Sequence, residues 1–436
     1  MVFLRLIYNL LFPVVLVVML PSFIARMVRR GNYRHKFGQR FGIYSKRVLD
    51  KLGGQRWTWI HAVSVGEVMI ALKLVQALRE RYPDLRVVLS TTTSTGFRLA
   101  HRHKSPCLEP IYHPLDFPWV TSRAFAAIRP ERLILVEAEV WPNTVALARK
   151  LGIPRVLVNA RLSTRSEKRY RLVRWLSGPL FNCLDAICVQ EPADVQRWVS
   201  LGVNPSRIRL TGSIKFDIEG SPTAPARDFY PVLQAMGIPP TAPVLLGGST
   251  FDGEEILLAE LATTLRTQFP ELFLILVPRH AERGKSVLEQ MEKRGFRATL
   301  RSGGTREGRP DILIVNTTGE LRDWYACATV VFIGKSLATS ARGGQNPAEA
   351  IVAGKPVIFG PKMQNFASLA NQLVAGGGAV QVNDAGALSE AVAALLNDPI
   401  LRERMVEEAA KCLDVHCGAT RRTVEILASP QLVDSK

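Results

Sequence analysis

The chain has 436 residues, 47% of them hydrophobic and 22% charged, which excludes a disordered protein and allows two or three domains with sizeable cores. A surplus of 56 Lys and Arg over 38 Asp and Glu leaves a net charge of +18, so an anionic partner is expected: nucleic acid, a phosphorylated substrate or membrane lipid. Six cysteines in this length do not make a disulfide scaffold and read as buried thiols of a reducing compartment. Cys412, His416 and Cys417 lack the second ligand pair that zinc spacing requires.

The charge is uneven. Residues 1–60 hold eleven basic residues against the single acid Asp50, and most of them follow an apolar run from Leu6 to Ile24. At about 1.5 Å per residue that run is roughly 28 Å long, barely a bilayer core. Only Arg5 precedes it, and no small-residue cleavage site follows, so an uncleaved anchor fits better than a signal peptide. Arg26, Arg29, Arg30 and Arg34 after the run place the remaining chain on the cytoplasmic side and attract anionic headgroups. Pro13 and Pro21 leave open whether the segment spans or lies in one leaflet. A soluble core helix is the plain alternative.

Beyond the anchor, apolar runs alternate with amphipathic ones. Strands are predicted at Trp57–His61, Arg86–Ser90, Leu133–Val136, Arg155–Val158, Ala186–Val189 and Ile208–Leu210, with helices such as Val68–Arg81, Asn143–Leu151 and Ala193–Leu201 between them. Such spacing indicates right-handed parallel βαβ units. Gly, Ser, Pro, Thr and Ala then dominate 218–226, the best linker candidate. The pattern restarts with strands at Val244–Leu246, Leu272–Val277, Ile312–Val315, Val330–Ile333, Pro356–Phe359 and Ala379–Val382. The expected architecture is α/β: two doubly wound, Rossmann-like domains whose strand ends face a cleft. The boundaries are 1–30 anchor, 31–217 first domain, 218–232 linker and 233–436 second domain.

Several strand ends carry chemistry. Trp59 to Glu67 is a strand, a small-residue turn and an acid at a helix start; Glu67 is either a helix-capping acid or a general base. Ala62, Ser64 and Gly66 resemble a nucleophile elbow without its first Gly, and no supported late His completes a hydrolase. Leu135 to Asn143 again runs a strand into acids, and alternation puts Glu137 and Glu139 on one side of an extended chain. In the second half, Pro278-Arg279 offers a phosphate clamp. Asn316 to Glu320 and Gly343 to Glu349 open helices whose N–H groups suit anions, or are ordinary turns. Gly334-Lys335-Ser336 suggests a P-loop, but Thr329 stands where its Gly is required. No G-x-G-x-x-G follows the first strand, and no Asp-x-Asp occurs to hold a metal-bound nucleotide sugar.

Taken together, residues 59–67, 135–143, 159–163, 211–217, 277–280, 316–321 and 343–349 resemble, in the same order, the 3-deoxy-D-manno-octulosonic acid (Kdo) transferases of lipopolysaccharide synthesis, glycosyltransferase family 30, of GT-B fold. The resemblance covers the chain to about residue 415. It implies transfer of Kdo from CMP-Kdo to a lipid A precursor at the inner membrane, with no metal or other cofactor. It also implies that Glu67 is the proton acceptor, that Glu139 and Lys215 stabilise the transition state, and that Pro278, Arg279, Thr318, Gly319, Glu320, Asn346, Pro347, Ala348 and Glu349 contact CMP. Gln345 stands where the family commonly has His, Lys335 where it has Gly, Thr318 where Met is frequent, and Glu137-Ala138-Glu139-Val140 replaces Glu-Thr-Glu-Leu. The basic run Arg161 to Arg174 is either a solvated helix face or a surface for acceptor phosphates and anionic lipid. A membrane-associated GT-B enzyme using a UDP- or GDP-sugar is the competing reading. A nucleic-acid-binding protein is disfavoured, because no recognition motif accompanies the charge.

Overall fold

A computed structural model describes residues 2–29, 36–162, 164–217, 227–303, 308–339 and 343–429. Arg30 and Arg34 of the basic cluster, and 218–226 of the expected linker, lie outside the described residues. The linker's last residues enter a short helix, Tyr230–Ala235.

The chain forms two compact units. The first comprises Met1–Gly220 together with Val415–Lys436, and the second is Ser221–Asp414. This differs from the expected boundary, which ran the second domain to residue 436. The reason lies in the Ala419–Leu427 helix: Val424 and Leu427 enter the first unit's core, and the buried Asp217 carboxylate accepts the N–H groups of Gly418 (2.9 Å) and Thr420 (2.6 Å) at the helix start.

The first unit's strands are β1 (Trp57–His61), β2 (Val87–Thr91), β3 (Leu108–Tyr112), β4 (Pro130–Val136), β5 (Arg155–Ala160), β6 (Ala186–Val189) and β7 (Ile208–Leu210). They form one sheet in the order β3-β2-β1-β4-β5-β6-β7, with every pair parallel. Alternation along the strands feeds two cores. Trp57, Trp59, Leu133, Leu135 and Leu157 enter one, and Ile60, Ile134, Val136, Val156 and Val158 enter the other. A sheet buried on both faces reads as continuous apolar runs, which is why most strands are visible in the sequence. β3 is the exception, because Glu109 and Pro110 interrupt it. Pro110 is tolerated on an edge strand, and buried Glu109 is held by Lys51 and Lys104, each at 2.8 Å.

The second unit holds β8 (Val244–Thr250), β9 (Phe273–Pro278), β10 (Ala298–Leu300), β11 (Ile312–Ile314), β12 (Val330–Ile333), β13 (Val357–Phe359) and β14 (Val380–Gln381). Their order is β10-β11-β9-β8-β12-β13-β14, again all parallel. The three-residue β10 is too short to leave a pattern in the sequence. The first sheet's order reverses between β1 and β4, and the second's reverses between β8 and β12, with β11 inserted between β9 and the edge strand β10. Ligands of open parallel sheets collect at such switch points, beyond the carboxyl ends of the strands.

Val2–Arg29 is a single helix with Pro13 and Pro21 inside it. Residues at i, i+4, i+7 dock it on the first unit. Arg5 donates to Asn143 (3.2 Å), Asn9 accepts from Asn143 (2.7 Å), and Phe12 packs edge-on against Phe117 and Trp141. Leu6, Leu10, Val14 and Val18 share the opposite, exposed face. Among the described residues, no helix is long and apolar enough to cross a membrane.

Candidate active site

The switch point of the first sheet gathers the predicted acid. β1 ends at His61, and Ser64 caps the Val65–Arg81 helix by accepting the Glu67 N–H (3.4 Å). Apolar residues at Val68, Ala71, Leu74, Val75 and Leu78 face the core, and Pro83 stops the helix just beyond Tyr82. Glu67 turns back so that its Oε2 accepts the Val63 N–H (2.8 Å). The Val63 carbonyl in turn accepts from the hydroxyls of Thr91 (3.0 Å), the last residue of β2, and of Thr93 (3.1 Å) just beyond it. The acid is thus buried and fixed on both sides. Burial pushes its carboxyl from 4.5 up to about 7; the Val63 N–H opposes the shift, and the charges of Glu137 and Glu139 add to it. A carboxyl poised near neutrality, at the mouth of a parallel sheet, has the properties of a general base.

Glu137 and Glu139 follow β4, but not as the alternation rule expects. β4 stops at Val136, and Glu137 adopts the left-handed conformation (φ 64°), its N–H bonded to the Val158 carbonyl (3.0 Å). The segment is not extended there, so the same-side argument lapses. The adjacent β5 does the same at Asn159 (φ 53°). Non-glycine residues in this region carry strain and persist only where the surroundings over-determine them. At Asn159 the reason is visible. Its carbonyl accepts from Gln190 (2.7 Å) and its Oδ1 accepts the Ile214 N–H (2.9 Å), which fixes the turn carrying Lys215. His416 adds an acceptor for the Ser213 N–H (3.1 Å).

Burial lowers the Lys215 pKa while the Glu137 charge raises it; burial raises Glu137 while Arg161 and Lys215 pull it down. Burial also raises Glu139. The structure therefore brings Glu67, Glu137, Glu139, Lys215 and Arg161 to one sheet end. Among these, Glu137 entered the sequence analysis only as a strand-end acid beside Glu139, and Arg161 only as the start of the basic run. The left-handed Glu137 leaves no signal in a single sequence, whereas the Thr91-Thr92-Thr93 run bracketing Val63 is visible there.

In the second unit Pro278 closes β9, and the N–H of the exposed Arg279, just beyond the strand's carboxyl end, donates to the Thr250 carbonyl (3.0 Å). Thr318 and Gly319 are exposed on the loop after β11. Glu320 is not free to take a ligand in the way its motif suggests. Its carboxylate accepts from Thr317 (2.5 Å) and Trp324 (3.3 Å) and pairs with Arg227 (3.6 Å) and Arg301 (3.8 Å), so it ties the loop. Asn346 Oδ1 accepts the Ala348 N–H (3.1 Å) beside Pro347, opening a helix of only five residues, Ala348–Val352. A single turn has little dipole, so the anion-binding helix start expected there reduces to side chains. The surrounding protein pushes the Glu349 carboxyl up, and Arg322 and Arg279 pull it back, placing an acid among cations.

The comparisons with known proteins agree with this geometry. The family model described as 3-deoxy-D-manno-octulosonic-acid transferase (kdotransferase) matches residues 35–218, and that for glycosyl transferases group 1 matches 311–412. The 3-deoxy-D-manno-octulosonic acid transferase of Bordetella pertussis is 37% identical over 401 residues, covering 89% of this chain and 90% of its own. That of Haemophilus influenzae is 31% identical over 406 residues, covering 92% of each. Among solved structures, the UDP-GlcNAc 2-epimerase of Neisseria meningitidis aligns with TM-score 0.54 over 86% of this chain and 99% of its own, at 14% identity. MurG of Acinetobacter baumannii aligns with TM-score 0.52 over 85% and 99%, at 14% identity. At such identities the likeness is one of fold, two Rossmann-like units of the GT-B kind. On the strength of the sequence relatives, the chain belongs to the 3-deoxy-D-manno-octulosonic acid transferases and is a glycosyltransferase.

Proposed function

We propose that the protein transfers Kdo from CMP-Kdo to a lipid A precursor of the lipid IVA type, without a metal, with Glu67 as the general base. The observation that carries the reading is the Glu67 carboxyl, anchored by Val63 and pushed to about 7. An acceptor hydroxyl is a poor nucleophile until a base removes its proton, and a base poised near working pH does so best. Departing CMP gains phosphate charge, which Arg279 of the second unit is suited to offset electrostatically, while Lys215 of the first unit is assigned to stabilising the transition state. Glu139 is assigned to the positive character that builds on the sugar as its bond to phosphate lengthens. Mass spectrometry of a lipid IVA-type acceptor incubated with enzyme and CMP-Kdo, with and without excess EDTA, tests the proposal. Addition of Kdo in both conditions is expected; no addition, or addition abolished by EDTA, overturns the reading or its metal-free part.

The N-terminal helix supports a place at the inner membrane, with the two units on the cytoplasmic side. Leu6, Leu10, Val14 and Val18 lie along one exposed stripe, while Arg5, Asn9 and Phe12 hold the other side against the first unit. A helix held at Arg5, Asn9 and Phe12 in this way suits one leaflet, lying in the interface beside anionic headgroups. Replacing Leu10, Val14 and Val18 by Asp together is expected to lower partitioning onto anionic vesicles about tenfold or more, measured by co-sedimentation. Unchanged sedimentation would remove the helix as the anchor.

A further inference from the structure

The switch point of the second sheet has a feature that the nucleotide motifs do not use. Between β8 and β12 two non-glycine residues are left-handed: Ser249 (φ 54°) near the end of β8 and Lys335 (φ 56°) just after β12. Gly334 forces the two turns together, since a Cβ there would stand 2.5 Å from the Thr250 Cα and 2.6 Å from the Ser249 carbonyl oxygen. The Lys335 carbonyl accepts the Gly344 N–H (3.1 Å), which fastens it to the turn leading into Asn346–Glu349. On the other side of β8's end, the Thr250 carbonyl accepts the Arg279 N–H (3.0 Å). Lys335 therefore sits between two of the segments expected to contact the nucleotide, the Pro278-Arg279 pair and the turn into Asn346–Glu349.

The backbone of this loop is already satisfied from within. Glu254, fully buried, accepts the N–H groups of Lys335 (2.6 Å), Ser336 (2.9 Å), Leu337 (3.0 Å), Ala338 (3.3 Å) and Phe251 (2.8 Å). That is an anion-binding nest filled by the protein's own carboxylate, and it is why the Gly334-Lys335-Ser336 sequence does not act as a P-loop. What the loop has left to offer a ligand is the Lys335 side chain. Its ammonium rests 5.6 Å from the Phe251 ring centroid, and among the described residues no carboxylate pairs with it. A β-carbon at φ 56° is strained where glycine would not be, so the lysine has a use that outweighs its conformational cost.

We propose that Lys335 is a donor-binding residue whose ammonium contacts an anionic oxygen of the CMP-sugar, either the phosphate or the sugar carboxylate. The inference rests on the CMP-Kdo reading above. That donor carries two separate anionic groups, and Arg279 and Lys335, on either side of the Ser249–Phe251 turn, supply two cations for them. Switch-point position, loop strain and unspent charge agree on the same side chain.

The test uses full-length protein, titrated with CMP by calorimetry and assayed with CMP-Kdo and acceptor. K335G and K335N both remove the charge and both tolerate the left-handed backbone, so a folded neutral variant is obtained even if one of them fails. Both are expected to hold or raise Tm relative to the parent while the donor KM rises roughly tenfold or more. K335R, which keeps charge and backbone alike, is expected to stay within a few-fold of the parent. A parallel loss of CMP affinity assigns the contact to the phosphate, and CMP affinity left intact assigns it to the carboxylate. Neutral variants matching the parent within about twofold in donor KM and CMP affinity overturn the inference alone. A parent that neither binds CMP nor uses CMP-Kdo overturns the proposed function, and this inference with it.

Discussion

Glu67→Gln is expected to lower kcat by about 10²- to 10⁴-fold, the usual worth of a positioned base, while CMP affinity in the second unit is unchanged. The amide oxygen can still accept the Val63 N–H, so the loop stays in place and the loss reports on proton transfer. The pH dependence has a definite sign. Burial raises the Glu67 carboxyl from 4.5 to about 7, so the basic form, and kcat with it, grows as pH rises through about 7. Stability moves the other way. A carboxyl that holds its proton more tightly when folded contributes stability below pH 4.5, and this is lost as pH rises to about 7. At pH 8 the buried charge costs up to ~3 kcal/mol, taking 1.36 kcal/mol per unit. The variant should therefore melt above the parent at pH 8 and level with it near pH 4. Melting curves that shift in parallel, with turnover intact, would leave Glu67 as a helix cap and nothing more.

Lys215→Met should cost about a hundredfold or more in kcat, the scale of losing one preorganised charge at a reacting centre. The same change strips the half-buried Glu137 of an opposing charge, so the folded state is destabilised as well. Adding Glu137→Gln separates the two effects. The double variant should recover melting temperature, because no unpaired acid is left behind, but should not recover turnover. Recovery of both would mean that Lys215 serves only to neutralise Glu137.

Strand content was legible where a strand is an unbroken apolar run buried on both faces. Trp57–His61, Ala186–Val189 and Val330–Ile333 stand where their apolar runs put them. β3 was hidden because an edge strand tolerates Pro110 and a paired Glu109, both of which read as breaks. The residue composition of the site was legible too, since acids and small turns after apolar runs mark the carboxyl ends of parallel strands. Its backbone was not. The left-handed turns at Glu137, Ser249 and Lys335 depend on contacts from neighbouring strands, which no local pattern encodes. The same holds for Glu254. As an acid near a helix start it looks like a cap, and only the fold reveals five N–H groups converging on it. The return of the C-terminal helix to the first unit was also invisible, because its partners Asp217 and Thr211 are about two hundred residues away.

That return makes the second unit an insertion, entered near Gly220 and left near Asp414. Exchanging that unit for another enzyme's consequently needs two splice points, and a single crossover would sever the first unit from its last helix. A fragment ending at residue 217 would lose His416 and Arg422 from the Thr211–Ser213 stretch. Lys215 would then hang from a turn with half of its buttress missing.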